Sequence, residues 1–136
     1  MIRPIVKDQM FLSKPSSKAD KNDMSIAQDL KDTLQANRQI CVGMAANMIG
    51  AAKCIIAVAL YTDVLIMFNP VIVSRKGAYT IKEGCLSLPG QREVTRYKTV
   101  TVRYQDSTFT EKTMVFSGMI AQIIQHECDH LKEILI

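Results

Sequence analysis

The sequence predicts an α+β fold: antiparallel strands packed around a C-terminal metal-binding helix that carries a His-Glu-x-x-His motif. Three observations point to it. Apolar residues recur at helical spacing near the start (Ile26, Leu30, Leu34) and at the end (Ile120, Ile123, Ile124, Leu131, Ile134, Leu135). Between them lie apolar or alternating runs of strand length, bounded by turn residues. No repeat and no linker divides the 136 residues, so 1–136 reads as a single domain.

Residues 1–23 are polar and irregular, with an exposed loop at Lys14-Pro15-Ser16-Ser17-Lys18. Ser25, with Gln28 three places on, reads as a capping box opening an amphipathic helix. Cys41–Gly50 is small and apolar, which suits a tight turn packed on a helix. Cys54–Leu60 and Leu65–Val73 are strand-like, the second interrupted at Asn69-Pro70 by a bulge or an edge. Tyr61-Thr62-Asp63 reads as the hairpin turn between them, and Arg75-Lys76-Gly77 as a second turn. Tyr97–Tyr104 alternates, with Val100, Val102 and Tyr104 on the buried face. Asp106-Ser107-Thr108 turns the chain into a short strand, Thr113–Phe116, and Gly118 leads into the last helix.

Composition narrows the function classes. Hydrophobic residues make up 48% and charged residues 22%, the balance of a chain that buries a core. The net charge of +4 is scattered, with no basic block interleaved with aromatics, so no nucleic-acid sequence is an expected partner. Met1–Ser13 has no long apolar core after its basic start, and no run approaches the ~18 apolar residues of a membrane span. No membrane partner is expected, and the expected location is cytoplasmic. In that reducing setting Cys41, Cys54, Cys85 and Cys128 are expected as thiols or metal ligands rather than disulfides.

The chemistry concentrates in Gln125-His126-Glu127-Cys128-Asp129-His130. Residues four apart share a helix face, so His126 and His130 can meet one metal ion, with Glu127 beside it to exchange protons with a bound water. They are the chain's only two histidines. A catalytic site of this kind needs a third protein ligand and one open position. The Gly- and Pro-bounded stretch Glu83-Gly84-Cys85-Leu86-Ser87-Leu88-Pro89-Gly90 is the best region for it. Cys85 is the leading candidate there, with Glu83 a competitor and Cys54 a weaker one. Cys128 faces away from the histidine pair and reads as core.

Glu83-Gly84-Cys85-Leu86-Ser87 together with Gln125-His126-Glu127-Cys128-Asp129-His130 resembles the peptide deformylase family, in that family's order and over about residues 40 to 135. The resemblance implies Cys85, His126 and His130 as metal ligands and Glu127 as general acid/base. It implies Fe2+ as the ion, with Zn2+, Ni2+ or Co2+ tolerated. The activity it implies is removal of the N-formyl group from N-formylmethionyl peptides, releasing formate. The partners are then formylated nascent peptides, with the ribosome permitted as a second. The resemblance makes the Leu86 backbone N–H an oxyanion donor, and assigns Val42, Gly43, Glu83, Gly84 and Arg92 to substrate binding. Asp129 is expected to brace the metal helix by pairing with Arg96 or Arg92.

The family's first motif is altered. Cys41 stands for its first Gly, and Met48 for the Gln whose side chain donates to the oxyanion. Met has no N–H to donate, and losing one such donor typically costs about 10²–10³ in turnover. Glu133 stands where the family usually has Gly, and the extension that many bacterial members carry, used by some for ribosome docking, is not seen after Ile136. The competing expectation is a metal- and peptide-binding protein with little or no catalysis. A metalloprotease built on the same helix motif lacks its usual third ligand.

Overall fold

The structure is a computed structural model that describes residues 1–85 and 89–132. Five strands form one antiparallel sheet in chain order: β1 (Gly43–Ala45), β2 (Ile55–Leu60), β3 (Asp63–Gly84), β4 (Gln91–Gln105) and β5 (Glu111–Ser117). Three helices join it: α1 (Gln9–Leu12), α2 (Met24–Ala36) and α3 (Gly118–Leu131). No helix among the described residues is long and apolar enough to cross a membrane.

β2 explains how the layers are arranged. Its residues Ile55 to Val58 are all buried, so it does not read as an alternating strand. Alternation is present but points to two cores. Ile55 and Ala57 join Leu30, Leu34, Met44 and Phe68 beneath α2. Ile56 and Val58 join Met67, Val100, Val102, Tyr104 and Ile124 beneath α3. A strand covered on both faces becomes a continuous apolar run because successive side chains point to opposite sides. β4 is covered on one face only, and there the expected alternation holds, with Val100, Val102 and Tyr104 inside.

Several local expectations are corrected. Ser25 does not cap a helix. Asp20 caps a 3-10 turn over Lys21–Asp23, with a reciprocal bond between the Asp20 N–H and the Asp23 carboxylate, and α2 continues from it at Met24. The short α1 falls within the stretch read as irregular. Arg75-Lys76-Gly77 is no turn. It lies inside β3, whose pairing with β4 continues through Lys76↔Thr99 and Ala78↔Tyr97, while Gly77 takes φ +77° within the strand. Two strands this long outvote a local turn signal because each added ladder pair repays the bent residue.

The other turns fall where expected. Tyr61 and Thr62 join β2 to β3, with Leu60 paired to Asp63. Asp106 Oδ1 accepts the N–H groups of Thr108 and Thr110 at 2.9 and 3.1 Å. Gly118, at φ +66°, permits the direct passage from β5 into α3.

Asn69 marks the expected bulge, where the β3–β4 register slips between Phe68 and Val71. It takes φ +52°, which Asn tolerates better than most residues. Its amide accepts from Ala19 N at 2.8 Å and donates to Ala19 O at 2.9 Å and Gln105 Oε1 at 2.7 Å, tying the N-terminal segment to the sheet. Asn69→Ala removes those bonds and leaves a less tolerant residue at positive φ. We expect a stability loss of about 2 kcal/mol in chemical denaturation; an unchanged midpoint would show the anchor to be idle.

Candidate metal centre

Three elements build the site. β3 ends on Glu83 and Gly84 and delivers Cys85 directly after them. α3 presents His126, Glu127 and His130 from its buried side. β1, at the sheet edge, brings the Gly43 backbone against α3.

The donors converge. His130 Nε2 lies 3.2 Å from Cys85 Sγ and 3.2 Å from His126 Nε2. All three ligand-type atoms lie within 4.8 Å of one another. Two imidazole nitrogens and a sulfur crowded at this spacing form a donor set that a cation would satisfy, and Cys-His-His leaves a fourth position open. The competing third ligands are placed elsewhere. Cys54 Sγ donates to the Ser16 carbonyl at 3.4 Å, and Glu83 stands behind His126 rather than beside its Nε2. Cys128 is core, as expected, and burial pushes its thiol up to about 12.

Glu83 is the hub of the surroundings. Its Oε1 accepts from His126 Nδ1 at 2.7 Å. Arg96 from β4 grips both carboxylate oxygens, at 2.7 to 3.1 Å. The same guanidinium reaches Asp129 Oδ2 at 2.6 Å, so Arg96, not Arg92, is the partner of Asp129. Gln122 Nε2 donates to Glu83 Oε2 at 2.8 Å, and Tyr79 OH donates to Gln122 Oε1 at 3.3 Å. Burial alone would raise the Glu83 pKa, but the bonds from His126 and Arg96 outweigh it and hold the carboxyl down at about 2.

The two histidines are driven apart. Burial lowers both. For His126, Cys85 and the carboxylates of Glu83 and Glu127 overcome burial and raise it to about 10. Among the described residues no carboxylate bonds to His130; burial and the charges of His126 and Arg96 push it down to about 3. Glu127 is buried and raised to about 7, chiefly by burial. Its Oε1 has no hydrogen-bond partner among the described residues. Gly43 makes room for this carboxyl: a Cβ there would sit 2.9 Å from Glu127 Oε2 and 2.5 Å from Ile123 Cγ2.

A cavity of about 280 Å³ opens over these groups, lined by Ile40, Val42, Gly43, Met48, Gln122 and Glu127 among others. Glu83, Gly84 and Cys85 also border it. Met48 Sδ accepts the Ala45 N–H at 3.5 Å, so its thioether is used inside its own turn. Cys41 Sγ donates to the Gly43 carbonyl at 2.9 Å. Arg92 does not border the cavity; it pairs across the β3–β4 hairpin with Glu83 and reaches the Pro89 carbonyl at 3.4 Å. Leu86, Ser87 and Leu88, and with them the expected backbone donor, lie outside the described residues, as do Glu133, Ile134 and Leu135. Sequence reasoning overlooked Gln122, although its position one helical turn before His126 puts it on the same face.

Comparison with known proteins agrees with this geometry. A profile of the polypeptide deformylase family matches residues 2–136. A peptide deformylase of Clostridium beijerinckii is 50% identical over 136 residues, covering 100% of both chains. One from Chlorobium phaeovibrioides is 41% identical over 98 residues, or 66% of this chain and 52% of the relative. The Met-Ala-Ser-bound crystal structure of a class I type b peptide deformylase from Acinetobacter baumannii superposes with a TM-score of 0.88 at 28% identity, covering 99% of this chain and 97% of that one. A peptide deformylase from Legionella pneumophila superposes with a TM-score of 0.89 at 30% identity, covering 99% and 83%. With a match along its whole length and a half-identical relative of equal extent, the chain belongs to the polypeptide deformylase family.

Proposed function

We propose that this chain hydrolyses the N-formyl group of N-formylmethionyl peptides to formate and a free amine. In this reading Cys85, His126 and His130 hold a metal ion and Glu127 moves the proton. One observation carries the reading: Cys85, His126 and a buried carboxyl whose Oε1 has no partner among the described residues border one cavity, and His130 Nε2 lies 3.2 Å from each of the other two donors. Fe2+ is the proposed ion, and Zn2+, Ni2+ and Co2+ suit the same thiolate and imidazole donors. When bound, such an ion would supply Lewis acidity and lower the pKa of a water toward neutrality.

The chain's own residues do the rest. Glu127, raised to about 7, exchanges a proton near neutral pH. It takes one from the attacking water and returns it to the amide nitrogen as the C–N bond breaks. Glu83 fixes His126 through Nδ1, leaving Nε2 for the ion. Because the Glu83 carboxylate is committed to His126 and Arg96, its substrate contact, like that of Gly84, falls to the main chain. Val42 and Gly43 border the cavity at the sheet edge, where an extended peptide adds main-chain bonds. A Met-Ala-Ser peptide is bound in the Acinetobacter relative, and an apolar wall of Ile40, Val42, Met48 and Ile123 suits a methionine side chain here. The Leu86 N–H remains the proposed oxyanion donor, since Met48 supplies none. A binding role without catalysis is not favoured, because the half-identical relative of equal extent is a peptide deformylase. Formylated nascent peptides are the proposed partners, the ribosome a proposed docking surface and the cytoplasm the proposed location.

Formate release from a formyl-methionyl peptide by anaerobically iron-loaded protein tests the reading directly. We expect turnover from the native chain and an increase, up to about 10²-fold, in Met48→Gln. A native chain that releases no formate while holding iron would overturn it. Glu127→Gln is expected to lose about 10²–10⁴ in kcat with its metal content retained; equal loss of metal would recast Glu127 as a structural group. Asp129→Asn is expected to lower stability by about 1–3 kcal/mol and to weaken metal binding, because it strips one charged partner from Arg96. Unchanged stability and metal affinity would end the bracing role.

A further inference from the structure

We propose that Asn47 positions His130 by holding both its main chain and its imidazole. The inference rests on the ligand reading above. Asn47 lies in the 3-10 turn after β1, 83 positions from His130, and both residues are fully buried, at 0% exposure. Its Nδ2 donates to the His130 carbonyl at 2.9 Å. That carbonyl belongs to the last turn of α3, where helix carbonyls have no intrahelical donor. The amide orientation follows from chemistry, because two carbonyl oxygens cannot pair.

Asn47 Oδ1 is therefore turned off the carbonyl. It has no hydrogen-bond partner among the described residues, and neither has His130 Nδ1. His130 Nε2 faces Cys85 Sγ and His126 Nε2, both at 3.2 Å, so it is the ligating nitrogen. A neutral imidazole that ligates through Nε2 carries its proton on Nδ1 and needs an acceptor there. His126 has one in Glu83. Glu127, whose Oε1 has no partner among the described residues, has its Oε2 directed at Gly43. The proposal assigns Asn47 Oδ1 as acceptor for His130 Nδ1–H through one bridging buried water.

The two ligand histidines then have unlike support, a carboxylate for one and a neutral amide for the other. A neutral acceptor suits this end of the site. Arg96 and His126 already serve as partners to Glu83 and Asp129, so a further buried carboxylate at His130 would find no cation left to pair with among the described residues of the site. Asn47 also ties the turn that carries Met48 to the end of α3.

The test uses the full chain loaded with Co2+. Proton NMR of the paramagnetic protein reads ligand-histidine N–H groups individually, and competition with a chelator reads affinity. In the native chain we expect two slowly exchanging Nδ1–H resonances. In Asn47→Leu we expect the His130 resonance to vanish by exchange while that of His126 stays, and Co2+ affinity to fall about 10–100-fold. Asn47→Asp keeps an acceptor but gives up the donor to the His130 carbonyl, so it is expected to retain the His130 resonance while still losing Co2+ affinity. Asn69→Ala is the control, destabilised at a site remote from the ligands, and is expected to keep both resonances and native affinity. Only one slow resonance in the native chain, an unchanged Asn47→Leu, or equal affinity loss in Asn69→Ala would each overturn the role of Asn47. If the native chain binds Co2+ without thiolate-to-cobalt absorption, the ligand set fails and takes the inference with it.

Discussion

The Glu83–Arg96 ion pair is the contact on which the rest of the site depends. It joins the end of β3 to β4, and through His126 and Asp129 it locks both strands to α3. Both side chains are almost wholly buried, at 6% and 4% exposure. Buried charges are tolerated only when paired, and removing one partner of such a pair typically costs about 3–5 kcal/mol. Here each partner is multiply satisfied. Glu83 accepts from an imidazole, a guanidinium and an amide, while Arg96 is shared between two carboxylates. The geometry of His126 thus follows from the same bonds that hold sheet to helix.

This arrangement holds two carboxyls of one site at different pKa values. Glu83 is held near 2 by its cationic neighbours, so it stays ionised and serves as a fixed counter-charge. Glu127 has no such neighbour bonded to it and is raised to about 7 by burial. The two carboxyls differ because one is bonded to cationic groups while burial dominates the other. Gly43 completes the contrast, since any side chain at that point of β1 would collide with Glu127. The first motif keeps the glycine that this contact requires, even as Met48 replaces the amide donor beside it.

Met48 shows how a substitution is absorbed. Its sulfur takes the Ala45 N–H and its side chain is 99% removed from solvent, so the turn is packed and satisfied. Toward the cavity it borders, the thioether offers no N–H to donate. Asn47 and Met48 sit side by side in that turn, one facing the helix end and the other the cavity.

The sequence by itself determined the α+β class, the two larger helices, most strands and the Asn69 bulge, and it singled out Cys85, His126 and His130, whose donor atoms the structure brings within 4.8 Å of one another. These are local signals, a 3.6-residue or two-residue period, a turn residue, or histidines four apart, and each is legible within a short window. It misread Arg75-Lys76-Gly77 as a turn and Ser25 as a cap because long-range pairing of β3 with β4 and the preceding Asp20 turn override short-range preference. Only the tertiary structure decided that Glu83 backs His126 rather than competing with Cys85, that Arg96 takes Asp129, and that Gln122 and Asn47 belong to the surroundings of the ligands. Those bonds join residues 13 to 83 positions apart, across strands and helix. No period or motif encodes such a meeting; it arises from where the packed sheet and α3 bring buried polar groups that must find partners.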